Sequence, residues 1–175
     1  MKTNEYVILV DEQDNEIGVM EKLKAHEQGK LHRAFSVFIF NDKNELLLQQ
    51  RAINKYHSGG LWTNTCCSHP SPNETIKDAA NRRLFEEMGL TSDLKIVSNF
   101  IYKTDFENGL IEHELDYILV GNSNTIPKLN KDEVESYKWQ SISEIKNDII
   151  INPNQYTAWF KIALQSGKIP NFSEK

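Results

Sequence analysis

The hydrophobic positions of the chain fall into short β-type runs interrupted by one clear helical pattern. Tyr6 to Val10 is a compact β-rich run. AFSVFIFN, from Ala34 to Asn41, is longer and ends at an Asn-Asp-Lys-Asn turn before ELLLQQR, so its two flanks predict a hairpin. From Glu74 to Met88 the residues Ile76, Ala79, Ala80, Leu84 and Met88 stand near helical spacing, and Gly89 is a natural stop. Leu94 to Tyr102, Ile111 to Val120 and Glu135 to Trp139 read as strands; SISEI from Ser141, and Tyr156 to Gln165, read as helices. Pro127, Pro153 and Pro170 punctuate the last third without isolating a linker. Elements in this order predict a single domain over residues 1–175 of the α/β (α+β) class: a mixed β-sheet sandwiched by helices on both faces, without the regular alternation of a Rossmann fold.

Composition narrows the partners. A chain of 175 residues that is 39% hydrophobic can bury one full core. The net charge of -5 and pI near 5.6 leave no broadly basic surface for nucleic acid, although a local basic cluster can still hold a phosphate. The opening MKTNEYVILVDEQDNE follows its short apolar run with acids, unlike a signal peptide, and no apolar stretch is long enough to span a bilayer. No membrane partner is expected. Cys66 and Cys67 are adjacent, which disfavours an ordinary intrachain disulfide and suits a reducing cytoplasm.

The candidate chemistry centres on TNTCCSHP, Thr63 to Pro70, a segment too rich in small and polar residues for ordinary core. In an extended segment Cys67 and His69 point to one side and Cys66 to the other, so Cys66 reads as packing. Such a thiol and imidazole allow proton transfer, nucleophilic attack or metal ligation; alone, they would read as a packed cysteine beside a surface histidine. They are not alone. His26 and His32 lie upstream, and IEHEL supplies Glu112 and Glu114 at strand spacing, a set of nitrogen and oxygen donors suited to zinc, manganese or another borderline divalent ion.

The predicted helix carries RRLFEEMGL, Arg82 to Leu90, with Glu74 before it, and this resembles the Nudix box. The pattern departs where Arg83 replaces a metal-holding glutamate and where Ser68 takes the opening glycine position. Together with LHRAFSVFIFN and QQRAINKYHSGGLWTNTCCSHP, the degenerate box resembles the type 1 isopentenyl-diphosphate isomerases, a branch of the Nudix superfamily, over nearly the whole chain. The resemblance implies a Nudix-like α/β/α sandwich that interconverts isopentenyl and dimethylallyl diphosphates, the C5 isoprenoid precursors. It places the catalytic pair on Cys67 and Glu114, with Tyr102 as the aromatic partner of the glutamate. One tightly bound ion, Mn2+ or Zn2+, falls on His26, His32, His69, Glu112 and Glu114. A second, Mg2+ bridging to the substrate diphosphate, falls on Glu87. Contacts to the diphosphate fall on Lys22, Arg51, Lys55 and Arg83, and the hydrophobic lid on Trp159. The implied partner is a small-molecule isoprenoid diphosphate, with the protein a monomer or weak homodimer.

Moving a double bond in an unactivated alkene needs an acid and a base on opposite sides of a small, dry cavity whose walls tolerate positive charge. Trp62, Tyr102 and Trp159 are candidate cation-π walls, and Trp139 is expected in plain core. Two other readings compete. A Nudix diphosphate hydrolase would need a glutamate at Arg83 and has no use for Cys67; a noncatalytic, metal-stabilised ligand sensor would bind diphosphate without turnover.

Overall fold

The structure, a computed structural model, describes residues 5–170. The chain runs β1 (Tyr6–Val10), β2 (Glu16–Glu21), α1 (Lys22–Gln28), β3 (His32–Phe40), β4 (Glu45–Arg51), β5 (Trp62–Thr63), β6 (Cys66–Ser68), α2 (Ile76–Met88), β7 (Lys95–Asp105), β8 (Ile111–Asn122), β9 (Val134–Ser141), α3 (Ile142–Ile151), a 3-10 turn (Pro153–Gln155) and α4 (Ala158–Gln165). The expected strands and helices are present, with ends shifted by a few residues. The short strands β5 and β6 were not expected, nor were β2 and α1. They hold few apolar residues, and α1 is only seven residues long, too short to display helical periodicity.

β3 is the centre of the sheet. It pairs in parallel with β8 along its full length, from His32 opposite Glu114 to Phe40 opposite Asn122, and β8 pairs antiparallel with β7. The predicted hairpin of β3 and β4 is present but short: the strands pair antiparallel at Phe40 and Leu46 beside the turn, then splay. β4 turns to pair with β9, and the segment from Trp62 to Ser68 enters the gap, β5 on β4 and β6 on β3. Polar side chains stitch the gap. Thr65 Oγ1 donates to Leu47 O (2.6 Å) and accepts from Ile39 N–H (3.0 Å), while Gln49 Nε2 donates to Thr65 O (2.7 Å). Splayed strands leave buried backbone groups that need partners, which explains why this buried segment is built from Thr and Asn.

Strand alternation sends Phe35, Val37 and Ile39 to one face and Phe38 and Phe40 to the other. The first group packs with Ala79, Ala80, Leu84 and Met88 of α2; the second packs with Ile145 of α3 and Trp159, Phe160 and Ala163 of α4. Helices therefore cover both faces of a mixed sheet, as expected. α2 starts one residue after its cap, where Thr75 Oγ1 accepts from Asp78 N–H (3.1 Å), and stops at Gly89, whose φ of 62° is left-handed. A Cβ on Gly89 would lie 2.8 Å from Lys128 Cβ, so glycine is required there on two counts. Among the described residues no helix is long and apolar enough to cross a membrane.

Candidate active site

The site lies where the ends of β3, β6 and β8 meet α1. His26 comes from α1, His32 from the first position of β3, His69 from just past β6, and Glu114 from β8 opposite His32. Each offers one ligand atom, and these atoms lie within 4.8 Å of one another. The three imidazole centroids are 4.9, 5.0 and 5.6 Å apart. His26 Nδ1 lies 2.7 Å from Lys22 O and His32 Nδ1 lies 2.8 Å from Lys30 O, contacts that place the proton on Nδ1 and leave a lone pair on Nε2. Both Nε2 atoms are buried without a hydrogen-bond partner, as is His69 Nδ1. Buried orphan nitrogens beside a carboxylate suit a divalent cation, so the residues present fit a metal. Burial lowers the pKa of His26 and takes that of His69 down to about 3, which keeps the ligating neutral form.

Glu112 stands beside this group and not within it. Tyr102 Oη lies 2.6 Å from Glu114 Oε2 and 3.0 Å from Glu112 Oε2. One phenolic proton cannot satisfy two carboxylates. Burial, reinforced by the charge of Glu114, raises the pKa of Glu112 well above the carboxylate range. Burial also opposes ionisation of Glu114, but the imidazoles of His32, 3.5 Å away, and His69 outweigh it and hold Glu114 well below its usual pKa. His69 Nε2 is 2.9 Å from Glu114 Oε1.

Cys67 and Glu114 line the same cavity, as do Tyr102 and Trp159. The Cys67 S–H donates to Asn64 Oδ1 (2.9 Å), and its sulfur accepts from Trp159 Nε1–H (3.2 Å). Burial, and then the buried Asp116, push the thiol up to about 12. Cys66 points away into the core against α2 and is fully buried. Trp159 lines the cavity beneath the Arg51 guanidinium, 5.0 Å from its ring centroid. Trp62 does not line it; its ring faces the Lys138 ammonium at 4.3 Å, which corrects its expected place in the wall. Trp139 packs against the core, as expected.

The same cavity gathers four basic side chains. Lys22, Arg51, Lys55 and Arg83 line it together with Glu87 and Glu133. Lys22 bonds Glu5 (2.8 Å), Lys55 is ion-paired with Glu133, and Arg83 Nη2 lies 2.6 Å from Glu87 Oε1 and 3.5 Å from Glu133 Oε2. Gln49 Nε2 holds the second Glu87 oxygen at 2.8 Å. Sequence reasoning missed Ser36, Gln49, His57, Asn64, Asp116 and Glu133. Of these only Asp116 carried a signal, since it continues the strand spacing of Glu112 and Glu114.

The NUDIX domain family model matches residues 30–160. The isopentenyl-diphosphate Delta-isomerase of Pectobacterium atrosepticum is 52% identical over 95% of this chain and 92% of its own length. That of Burkholderia multivorans is 46% identical over 95% of this chain and 94% of its own. Among solved structures, DR0079 from Deinococcus radiodurans shares the fold at a TM-score of 0.76 and 16% identity, covering 92% of this chain and 98% of that one. Identity at this level across almost the full length, on a fold shared with Nudix proteins, places the chain in the isopentenyl-diphosphate Delta-isomerase family.

Proposed function

We propose that the protein interconverts isopentenyl and dimethylallyl diphosphates, with Cys67 and Glu114 as the proton-transfer pair. One observation carries this reading: a thiol and a carboxylate line one cavity together with Lys22, Arg51, Lys55 and Arg83. Those cations hold the diphosphate, and binding energy gained there orients the C5 chain between the two proton-transfer groups. One group delivers a proton to an alkene carbon while the other takes one from its neighbour, and the reverse reaction exchanges their roles. Tyr102 hydrogen-bonds Glu114 and steadies its reacting oxygen. The Trp159 ring closes the cavity beside Cys67 and excludes water that would trap a cation as an alcohol, with the Arg51 guanidinium over the ring.

His26, His32, His69 and Glu114, with Glu112 alongside, would hold one tight divalent ion, Mn2+ or Zn2+, and Glu87 would hold Mg2+ near the diphosphate. Bound there, the tight ion supplies positive charge that favours the anionic form of Glu114. Arg83, standing where the Nudix box carries a metal-binding acid, places a guanidinium against Glu87 and favours diphosphate capture over hydrolysis.

Turnover of isopentenyl diphosphate in heavy water, followed by NMR, tests the assignment. The expected product carries solvent deuterium in its methyl group, and Glu114→Gln and Cys67→Ala each abolish the exchange. Product free of solvent deuterium, or full turnover by either variant, would remove the proton-transfer pair.

A further inference from the structure

Asn64 is fully buried in the turn between β5 and β6, and its side-chain amide can be oriented from its partners alone. Nδ2 donates to Val37 O at 3.1 Å and to Cys66 O at 3.0 Å. Both carbonyls only accept, so the NH2 group must face them and Oδ1 must point the other way. There Oδ1 accepts from the Thr63 hydroxyl at 2.9 Å and from Cys67 Sγ at 2.9 Å. The Thr63 oxygen in turn accepts from Thr157 Oγ1 at 2.9 Å, which commits Thr63's own proton to Asn64. An amide oxygen cannot donate, so the proton between Asn64 and Cys67 belongs to sulfur. On its other side the sulfur accepts from Trp159 Nε1–H, and the Ser36 hydroxyl, 3.9 Å away, donates to Asp116 at 2.8 Å.

We propose that Asn64 is the positioning residue of Cys67: its amide, locked by two backbone carbonyls, fixes the rotamer of the thiol and so holds its sulfur at the cavity wall. The proposal rests on the catalytic reading of Cys67. A cysteine side chain moves its sulfur by roughly 3 Å between staggered rotamers. Proton transfer needs donor and acceptor within hydrogen-bond reach, so an unheld thiol spends much of its time out of position. The diphosphate cations do not touch Asn64, so substrate binding should survive its loss.

Steady-state kinetics and infrared spectroscopy of the metal-loaded enzyme test this together. The S–H stretch absorbs where other protein groups do not, and a hydrogen-bonded thiol absorbs at lower frequency than a free one. The difference between wild type and Cys67→Ala isolates the Cys67 band from that of Cys66. Asn64→Ala is expected to move that band to the free frequency and to lower kcat about tenfold or more with KM within about twofold. A folded Asn64→Ala protein with an unshifted band, or with wild-type kcat, overturns the proposal. Should Asn64→Ala fail to fold, the wild-type band decides: a hydrogen-bonded frequency supports the assignment and a free one overturns it. Full turnover by Cys67→Ala sinks the catalytic reading of Cys67 and this inference with it. An inactive Cys67→Ala beside a fully active Asn64→Ala overturns the positioning role alone.

Discussion

His57 offers a test of the site's dryness that needs no substrate. Its side chain is 7% exposed, stacked on Phe106 at 5.0 Å between centroids and 23° between planes, with Tyr56 and Trp159 edge-on at 4.5 and 5.6 Å. Burial, and then the Arg51 charge, lower its pKa from 6.5 to about 3. Glu112 lies 3.8 Å from its Nε2, too little support to offset the burial. The native imidazole therefore stays neutral while the unfolded one takes up a proton. Stability linked to this residue is intact above about 6.5 and falls as pH drops toward about 3, since the unfolded state binds more protons in that window. Between pH 7 and pH 5 the loss is about 2 kcal/mol, and raising the native pKa by a full unit changes it by only about 0.1 kcal/mol. His57→Phe keeps a stacked ring and removes the titration. In urea unfolding at the two pH values, the wild type should lose about 2 kcal/mol more than the variant. Other titrating groups are common to both proteins and cancel in the difference. Parallel losses in the two proteins would mean that native His57 titrates as it does in the unfolded chain and that this wall of the cavity is wet.

Cys66→Ala should lower unfolding free energy by about 1 kcal/mol through the void left against α2 while sparing turnover, checked by urea unfolding and an NMR time course. Arg83→Glu sets a third carboxylate beside Glu87 and Glu133 and should raise KM for isopentenyl diphosphate by about tenfold or more; an unchanged KM would show that Arg83 does not meet the diphosphate. Stripping the protein with a strong chelator should abolish activity that manganese or zinc restores and magnesium alone does not, because imidazole ligands discriminate against magnesium; full recovery in magnesium alone would contradict a histidine-held ion.

The parts of the fold legible in the sequence were those whose burial is periodic. β3, β8 and α2 each bury a run or stripe of apolar residues, and their registers follow from it. α1 escaped because it is held by tertiary contacts and a Gly29 cap more than by an apolar face. The splay of β3 from β4 escaped for a different reason: a turn sequence reports the local reversal, whereas divergence depends on what enters the gap from elsewhere. The metal group was readable as residue types, but not the separation of Glu112 from it. That separation comes from the phenol of Tyr102, paired with Glu114 across β7 and β8. His57 and Asn64 reach their partners through loop geometry and contacts distant in sequence, which no local pattern records.

The wedge of residues 62–68 in the sheet bears on how the protein breathes. Many catalytic loops open at little cost because few hydrogen bonds tie them to the scaffold. Here the segment bearing Cys67 supplies ladder partners to β3 and β4, and Thr65 alone bridges Ile39 and Leu47. Lifting it would strip both strands at the centre of the fold, so its amides should exchange with solvent as slowly as the deepest core. Motion that admits substrate and releases product is thereby left to the other walls, the loop carrying Lys55 and His57 and the helix carrying Trp159. The thiol they close upon belongs to the least yielding part of the molecule.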